Sequence, residues 1–235
     1  MTAAPFEPRL ASLAAVLADA TRARMLSYLL SGEYASAGEL ARAASVTAAT
    51  ASGHLVKMLD AQLVVCEQRG RHRYYRLADD EVAHALEAMA LIAERRSHEA
   101  SWANPTRTRL RFARCCYGHL AGQLGVELFS QLLSKEWIAP AGEGYGLTAS
   151  GRAGLAELGL LADALGTPSS GRRLAYRCLD WSERRDHLAG TLPKALLAHC
   201  LQQGWLRRLE GERALALTPP GRQRLATLLP SVNTL

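Results

Sequence analysis

Nowhere in the 235 residues do apolar side chains run uninterrupted for the ~18 positions that a membrane-spanning helix needs. The start, MTAAPFEPRL, has no basic segment leading into an apolar core, and the alanine-rich stretch after it is broken by Asp19, Arg22 and Arg24. The chain is therefore expected in the cytoplasm, with no membrane partner and with its five cysteines reduced. A phosphate-cradling glycine loop and a nucleophile elbow are also missing. Asp180, Glu183 and His187 lie close in sequence, but no enzyme activity is expected from them. Positive charge is short in the first half. Residues 1–100 carry 11 Lys and Arg against 12 Asp and Glu, so the excess behind the net charge of +6 lies wholly in the second half. A case for nucleic acid must rest on local clusters. With 49% hydrophobic and 21% charged residues, the chain reads as globular and long enough for two ordinary domains.

The clusters are concentrated in residues 47–77, TAATASGHLVKMLDAQLVVCEQRGRHRYYRL. At ~100° per residue, Ala48, Ala51, Leu55, Met58 and Leu59 share one side of a helix, Ala49, Thr50, Gly53 and Lys57 the other, with His54 and Val56 flanking. Thr47 is a suitable N-cap. Gly53 costs up to about 1 kcal/mol relative to Ala, which a close approach to another backbone would explain. After Gln62 the period changes to two. Strands then flank a turn at Arg69-Gly70-Arg71-His72, which gives a hairpin with Arg69, Arg71 and Arg73 around its tip. Upstream, Ser36 and Glu39 fit a capping box that opens a short helix, and Ser45-Val46 makes a tight turn into the next. Earlier still, residues 8–17 read as a helix with Leu10, Leu13 and Leu17 on one stripe, and Asp19 caps a second helix ending at Ser31-Gly32. A helix from Asp79-Asp80 to about His98 follows the hairpin, with Val82, Leu86, Met89 and Ile92 in helical spacing.

Helix, tight turn, helix, basic hairpin is the winged helix-turn-helix arrangement, whose second helix fits the major groove while hairpin arginines reach phosphates or the minor groove. Residues 8–99 resemble the ArsR/SmtB family of bacterial repressors. The resemblance is carried by Asp19-Ala20-Thr21-Arg22, by Ser52, His54-Leu55 and Leu59, and by Gly70-Arg71 with Tyr74-Tyr75-Arg76-Leu77. It implies a homodimer that binds a palindromic operator in double-stranded DNA and releases it when an effector is sensed. It also implies that the first helix and the helix after the wing build the dimer interface. Thr47, Ala49, Thr50, Ser52, Gly53, His54 and Lys57 would meet the groove, and Arg69, Arg71 and Arg73 the backbone or minor groove. The family's thiolate signature is missing between Glu39 and Ser45, and Asp80, His84 and His98 depart from its acid-to-histidine spacing. An alternative is a metal- or thiol-handling sensor protein that keeps the winged helix mainly for dimerisation.

Residues 101–105 read as a linker, and residues 106–112 alternate with period two. From there an internal duplication runs to the end, with copies at about 106–165 and 170–230. His119-Leu120-Ala121-Gly122 recurs as His187-Leu188-Ala189-Gly190. At the same offset Leu124, Leu128, Leu133 and Trp137 recur as Leu192, Leu196, Leu201 and Trp205. Leu147-Thr148 with Gly151-Arg152 recurs as Leu217-Thr218 with Gly221-Arg222, and Arg114-Cys115 corresponds to Arg177-Cys178. Each copy reads as a helix ending near a tryptophan, a hairpin closing on Leu-Thr, and a helix opened by Gly-Arg, resembling the back end of a winged helix.

The expected fold is mainly α with small β-hairpins (α+β): a winged helix-turn-helix domain for DNA binding and dimerisation at 1–100, and a pseudo-symmetric, winged-helix-like duplicated domain at 105–235 for effector sensing. DNA binding requires no cofactor. A metal or metalloid ion is a candidate effector, with Cys115, Cys116, His119, Cys178 and His187 as candidate ligands. They occupy corresponding positions in the copies, and thiolates and imidazoles suit zinc, copper(I) or arsenite. Adjacent cysteines on a strand point to opposite faces, so one of Cys115 and Cys116 would face the site. Plain core packing, a thiol redox switch, and an organic ligand between Trp137, Trp181 and Trp205 remain open beside it. Cys66 and Cys200 read as core.

Overall fold

The computed structural model describes residues 6–94, 104–160 and 173–230. The chain divides into two compact units, one running to Ala83 and including Glu210–Glu212, the other comprising His84–Leu209 and the residues from Arg213 onward.

The first unit runs α1 (Phe6–Leu17), α2 (Ala20–Leu29), β1 (Ala35–Ser36), α3 (Ala37–Ala44), α4 (Ala48–Asp60), β2 (Val64–Arg69) and β3 (His72–Leu77), with the strands paired antiparallel in the order β1-β3-β2. The starts of α2, α3 and α4 are each fixed by a side chain. Asp19 accepts from the Arg22 N–H at 2.9 Å. Ser36 and Glu39 form the reciprocal capping box, and Thr47 accepts from the Thr50 N–H at 3.2 Å. Ser45 ends α3 in the left-handed conformation (φ 57°), which turns the chain into α4. Met25, Leu26, Leu29, Leu40, Leu55, Met58 and Leu77 form the core beneath them. This is a winged helix-turn-helix. Cys66, expected in the core, is exposed, because β2 turns all but Val64 outward.

The helix after the wing is α5 (Asp80–Ala93), which belongs to the second unit from His84 onward, and its expected extension to His98 lies outside the described residues. Then follow α6 (Pro105–Phe112), β4 (Arg114–Cys116), β5 (His119–Ala121), α7 (Gln123–Ser134), β6 (Ile138–Ala141), β7 (Gly144–Leu147) and α8 (Ala149–Glu157). The same order returns as β8 (Tyr176–Leu179), β9 (Asp186–Ala189), α9 (Thr191–Gln202), β10 (Leu206–Arg208), β11 (Leu215–Leu217) and α10 (Pro219–Leu225). The period-two segment 106–112 is a helix. Asn104 accepts from the Thr106 N–H at 2.9 Å, Pro105 occupies the first turn, and no side chain of α6 is buried, so its alternation carries no strand signal.

The two sets interlock. Helix α7 packs on β9 and α9 on β5. Leu215 donates to Ala113 at 2.9 Å, and Tyr145 donates to Ala175 at 2.8 Å, so each front hairpin borders the rear hairpin of the other set. The recurring Leu-Thr-x-x-Gly has one physical cause in both. Thr148 and Thr218 cap α8 and α10, and each hydroxyl also lies 3.1 Å from a tryptophan carbonyl, of Trp137 and Trp205 respectively. A Cβ on Gly151 or Gly221 would overlap that same carbonyl oxygen.

A buried ion network fastens this unit. Arg114, with no exposed surface, lies 3.7 Å from Glu87 of α5 and 3.0 Å from Asp180, and its guanidinium stacks over Trp181 at 4.6 Å. Arg213 donates to the other oxygen of Glu87. Burial pushes the Glu87 carboxyl up, but Arg213 and Arg114 more than offset it and hold the group below its ordinary value of 4.5.

Glu87→Ala would leave two buried guanidinium groups short of a counter-charge and should cost about 3–5 kcal/mol in urea unfolding of the full chain. Because the Glu87 carboxyl is depressed, its contribution is whole above 4.5 and is lost as pH falls through the folded value. Wild type should therefore lose stability more steeply below that pH than Glu87→Gln, and equal slopes would refute the charged network. Gly151→Ala should cost about 1–3 kcal/mol by overpacking against the Trp137 carbonyl, measured the same way.

Candidate nucleic-acid interface and a buried side-chain cluster

Helix α4 buries Ala51, Leu55 and Met58 and exposes Ala49, Thr50, Ser52, Gly53, Val56 and Lys57, together with the cap Thr47. Ala48, assigned by spacing to the packed side, is exposed, because it sits in the first turn beyond the edge of the core. Thr47 and Thr50 hydroxyls lie 2.9 Å apart, and the Ser52 hydroxyl is tied to the Ala48 carbonyl at 2.9 Å. A Cβ on Gly53 would meet nothing within 4 Å among the described residues, so no packing among them requires this glycine.

His54 stands apart from the outward set. It is half-buried, and its Nδ1 lies 3.2 Å from Arg22 Nη1 and 3.6 Å from Asp19 Oδ1. Arg22 itself is buried and donates to the carbonyls of Val16 and Ala15, the latter at 3.2 Å, closing the last turn of α1. The Asp19-Ala20-Thr21-Arg22 segment is thus a joint between α1, α2 and α4, and His54 belongs to that joint.

At the wing, Arg69 pairs with Glu67 at 3.0 Å and lies over the Tyr34 ring at 4.3 Å. Its charge is partly answered within the chain. Arg71, in the turn, and Arg73, on β3, are exposed. The outward hydroxyls and small residues of α4, with Lys57, Arg71 and Arg73, make a surface that can donate to phosphates and come close to base edges.

In the second unit the structure brings Cys116, His119, Cys178 and His187 together, with one candidate ligand atom from each lying within 4.8 Å of all the others. All four are buried. Cys116 and His119 are cross-strand partners in β4–β5, and Cys178 and His187 hold the same relation in β8–β9. This register moves the correspondence by one residue: Cys178 matches Cys116, not Cys115. Cys115 is not part of the cluster, because the strand's alternation turns it into the apolar core, where its sulfur accepts from the Gly118 N–H at 3.3 Å. The imidazoles of His119 and His187 face each other with Nε2 atoms 3.0 Å apart. His187 Nδ1 lies 3.2 Å from Asp180.

The electrostatics within the cluster are divided. Burial holds His119 down to about 4, whereas on His187 burial is outweighed by Asp180 and Cys178, which push it up to about 9. The Cys178 thiol is held far below its usual range by hydrogen bonding from Cys116, then from His119 and His187, while Cys116 is pushed well above it. His84 of α5 lies 3.4 Å from the Tyr176 hydroxyl, and His98 lies outside the described residues. Sequence reasoning missed Glu87, and it marked Arg114 only as part of the repeat, not as a buried charge. Asp180, noted only as a weak catalytic candidate, accepts from the Ser182 N–H at 3.0 Å, a local Asx turn that the Asp-Trp-Ser spacing could have signalled. Among the described residues no helix is long and apolar enough to cross a membrane.

Comparison with known proteins agrees with the first unit's architecture. The helix-turn-helix domain family matches residues 17–67. An uncharacterized HTH-type transcriptional regulator of Bacillus subtilis, YdfF, is 36% identical over 215 residues, covering 92% of this chain and 94% of that protein. The HTH-type transcriptional regulator CmtR of Mycobacterium tuberculosis is 41% identical over 80 residues, covering 34% of this chain and 67% of CmtR. Among solved structures, the homodimeric winged helix-turn-helix DNA-binding domain of Mb0332 from Mycobacterium bovis, a possible ArsR-family regulator, matches with a TM-score of 0.37 at 23% identity, over 42% of this chain and 94% of that one. Residues 19–22, the second helix and the wing resemble the ArsR type, and identity of 36% sustained along nearly the whole of YdfF places this chain in the helix-turn-helix family of DNA-binding transcriptional regulators.

Proposed function

We propose that this regulator is a repressor that binds a palindromic operator as a homodimer and is released by an effector. The observation that carries the reading is the outward surface of α4 and the wing: Thr47, Ala49, Thr50, Ser52, Gly53 and Lys57 for the major groove, and Arg71 and Arg73, with Arg69 behind them, for phosphates or the minor groove. His54 acts by fixing α4 on α2 through Arg22 and Asp19. The open space above Gly53 gives that glycine its reason, since the duplex backbone then comes where a side chain would stand.

A second copy is called for by uncovered apolar side chains. Leu10 on α1 is 53% exposed, and Met89 and Ile92 on α5 are 41% and 58% exposed. A twofold dimer through these helices presents two α4 helices to two half-sites and makes the operator an inverted repeat. In this reading residues 1–100 bind DNA and dimerise, and residues 105–235 are a duplicated domain that senses the effector, the duplication being supported by the returning order of elements. The protein works in the cytoplasm and has no catalytic role.

Selection of binding duplexes from a random pool should yield inverted repeats, and a reporter placed behind such a site should be silenced by the protein. Isolated half-sites or activation would overturn the dimeric repressor. Arg71→Ala with Arg73→Ala should weaken binding to all duplexes and reduce the salt slope by about 2 per subunit bound; an unchanged slope would remove the wing from the interface. Gly53→Ala should act with opposite signs, raising stability by up to about 1 kcal/mol while weakening operator binding at least tenfold. Unaltered affinity in that variant would refute close approach at Gly53.

A further inference from the structure

We infer that Cys116, His119, Cys178 and His187 form a closed, four-coordinate site for a zinc-class divalent ion, built from one Cys-His pair of each front hairpin in the second unit. The inference concerns this unit's own chemistry and stands whether or not the operator reading holds.

Geometry is the first support. Four ligand atoms within 4.8 Å of one another need only a small adjustment to reach the separations of about 3.3–3.8 Å that tetrahedral zinc sets with bonds of about 2.0–2.3 Å. Each pair is held by strand register, Cys116 opposite His119 and Cys178 opposite His187, so neither pair depends on a loop.

The state of the histidines is the second. Their Nε2 atoms face each other at 3.0 Å inside the protein, and among the described residues His119 Nδ1 has no hydrogen-bond partner. Asp180, beside His187 Nδ1 at 3.2 Å, favours keeping the proton on that nitrogen, so that loss of the other ring proton directs the Nε2 lone pair at the cluster. A carboxylate behind a histidine is the arrangement that orients metal-ligating imidazoles. Asp180 is itself held by the Gly122 N–H at 2.7 Å and by Arg114 at 3.0 Å, which makes it a positioning residue.

The donor set selects the ion. Two thiolates cancel a divalent charge, which suits a site with His187 fully buried and Cys116 nearly so. Two sulfurs with two imidazoles in a tetrahedral arrangement favour zinc over the harder magnesium or calcium. A trivalent metalloid takes three thiolates, and the third nearby cysteine, Cys115, faces the opposite side of β4. On binding, two protons leave to solvent, one from the Cys116 thiol and one from the His187 imidazolium, as the metal–sulfur and metal–nitrogen bonds form, with no change of oxidation state.

The test uses the full chain, reduced and stripped with a chelator, then titrated with Co(II) and Zn(II). Wild type should take up one equivalent per chain, with cobalt showing thiolate charge-transfer absorption and the intense visible bands of tetrahedral coordination, displaced by zinc. Cys116→Ser with Cys178→Ser should lose this spectrum, whereas Cys66→Ser should keep it. If the double variant fails to fold, wild type still decides: zinc should slow alkylation of Cys116 and Cys178 at least tenfold and leave exposed Cys66 unchanged. No uptake by reduced wild type, a spectrum unaffected by the double substitution, or alkylation indifferent to zinc would overturn the site. A Cys116–Cys178 disulfide in protein that stays metal-free after reduction would do the same, and would assign the pair to redox chemistry.

Discussion

Arg114 carries a positive charge into a place with no solvent contact, and the second unit is arranged to answer it. Glu87 comes from α5, Asp180 from the turn between β8 and β9, and Trp181 supplies a ring face at 4.6 Å. The backbone of the same residue bridges to Ala214, so one side chain and its own peptide join α5, the first front hairpin, the second front hairpin and the second rear hairpin. Apolar residues of similar volume can replace a buried ion set of this kind without loss of stability, so stability alone does not account for it. What an apolar replacement could not do is fix Asp180 beside His187. The network therefore ties the placement of one imidazole to the packing of four elements.

Much of the first unit was legible because its signals are local. A cap needs only three or four residues to declare itself, and Ser36 with Glu39, Thr47, and the turn at Ser45 all stand where the sequence places them. The arginines of the wing are equally local, being next to a glycine turn between two alternating runs. What was not legible depends on partners far away in the chain. His54 falls on the flank of α4 by angle, but its role is set by Arg22, 32 residues earlier. Glu87 looks like any acid on an amphipathic helix until Arg213 is found beside it. The alternation in residues 106–112 misled for a different reason: with no buried side chain on that segment, its pattern recorded no packing, and the Asn104-Pro105 start decided the structure.

The recurrence in the second half was visible as repeated residues, yet its meaning is three-dimensional. Gly151 and Gly221 recur because a tryptophan carbonyl occupies the space of their missing Cβ, and Thr148 and Thr218 recur because each both caps a helix and reaches that carbonyl. The match of Arg114-Cys115 to Arg177-Cys178 was off by one because sequence identity followed the Arg-Cys dipeptide, whereas cross-strand register follows the histidine. One residue of slip exchanges the two faces of a strand. Here that slip is the difference between a cysteine in the apolar core and one in the polar cluster.

The interlocking of the two sets bears on how such a cluster arises. Helix α7 lies on the second front hairpin and α9 on the first, each more than on the hairpin of its own set, and the two hairpins are buried together. A single Cys-His pair on one two-stranded hairpin offers half a coordination sphere and would exchange its ion with solvent. Pairing two such hairpins face to face completes the sphere and removes water in the same step. The cysteine and histidine then gain their chemistry from the packing of the whole unit, and whatever disturbs the joint at Arg114 disturbs the cluster through Asp180. Since Glu87 of α5 is part of that joint, contiguous polar contacts no longer than 3.7 Å run from this helix through Arg114 and Asp180 to His187.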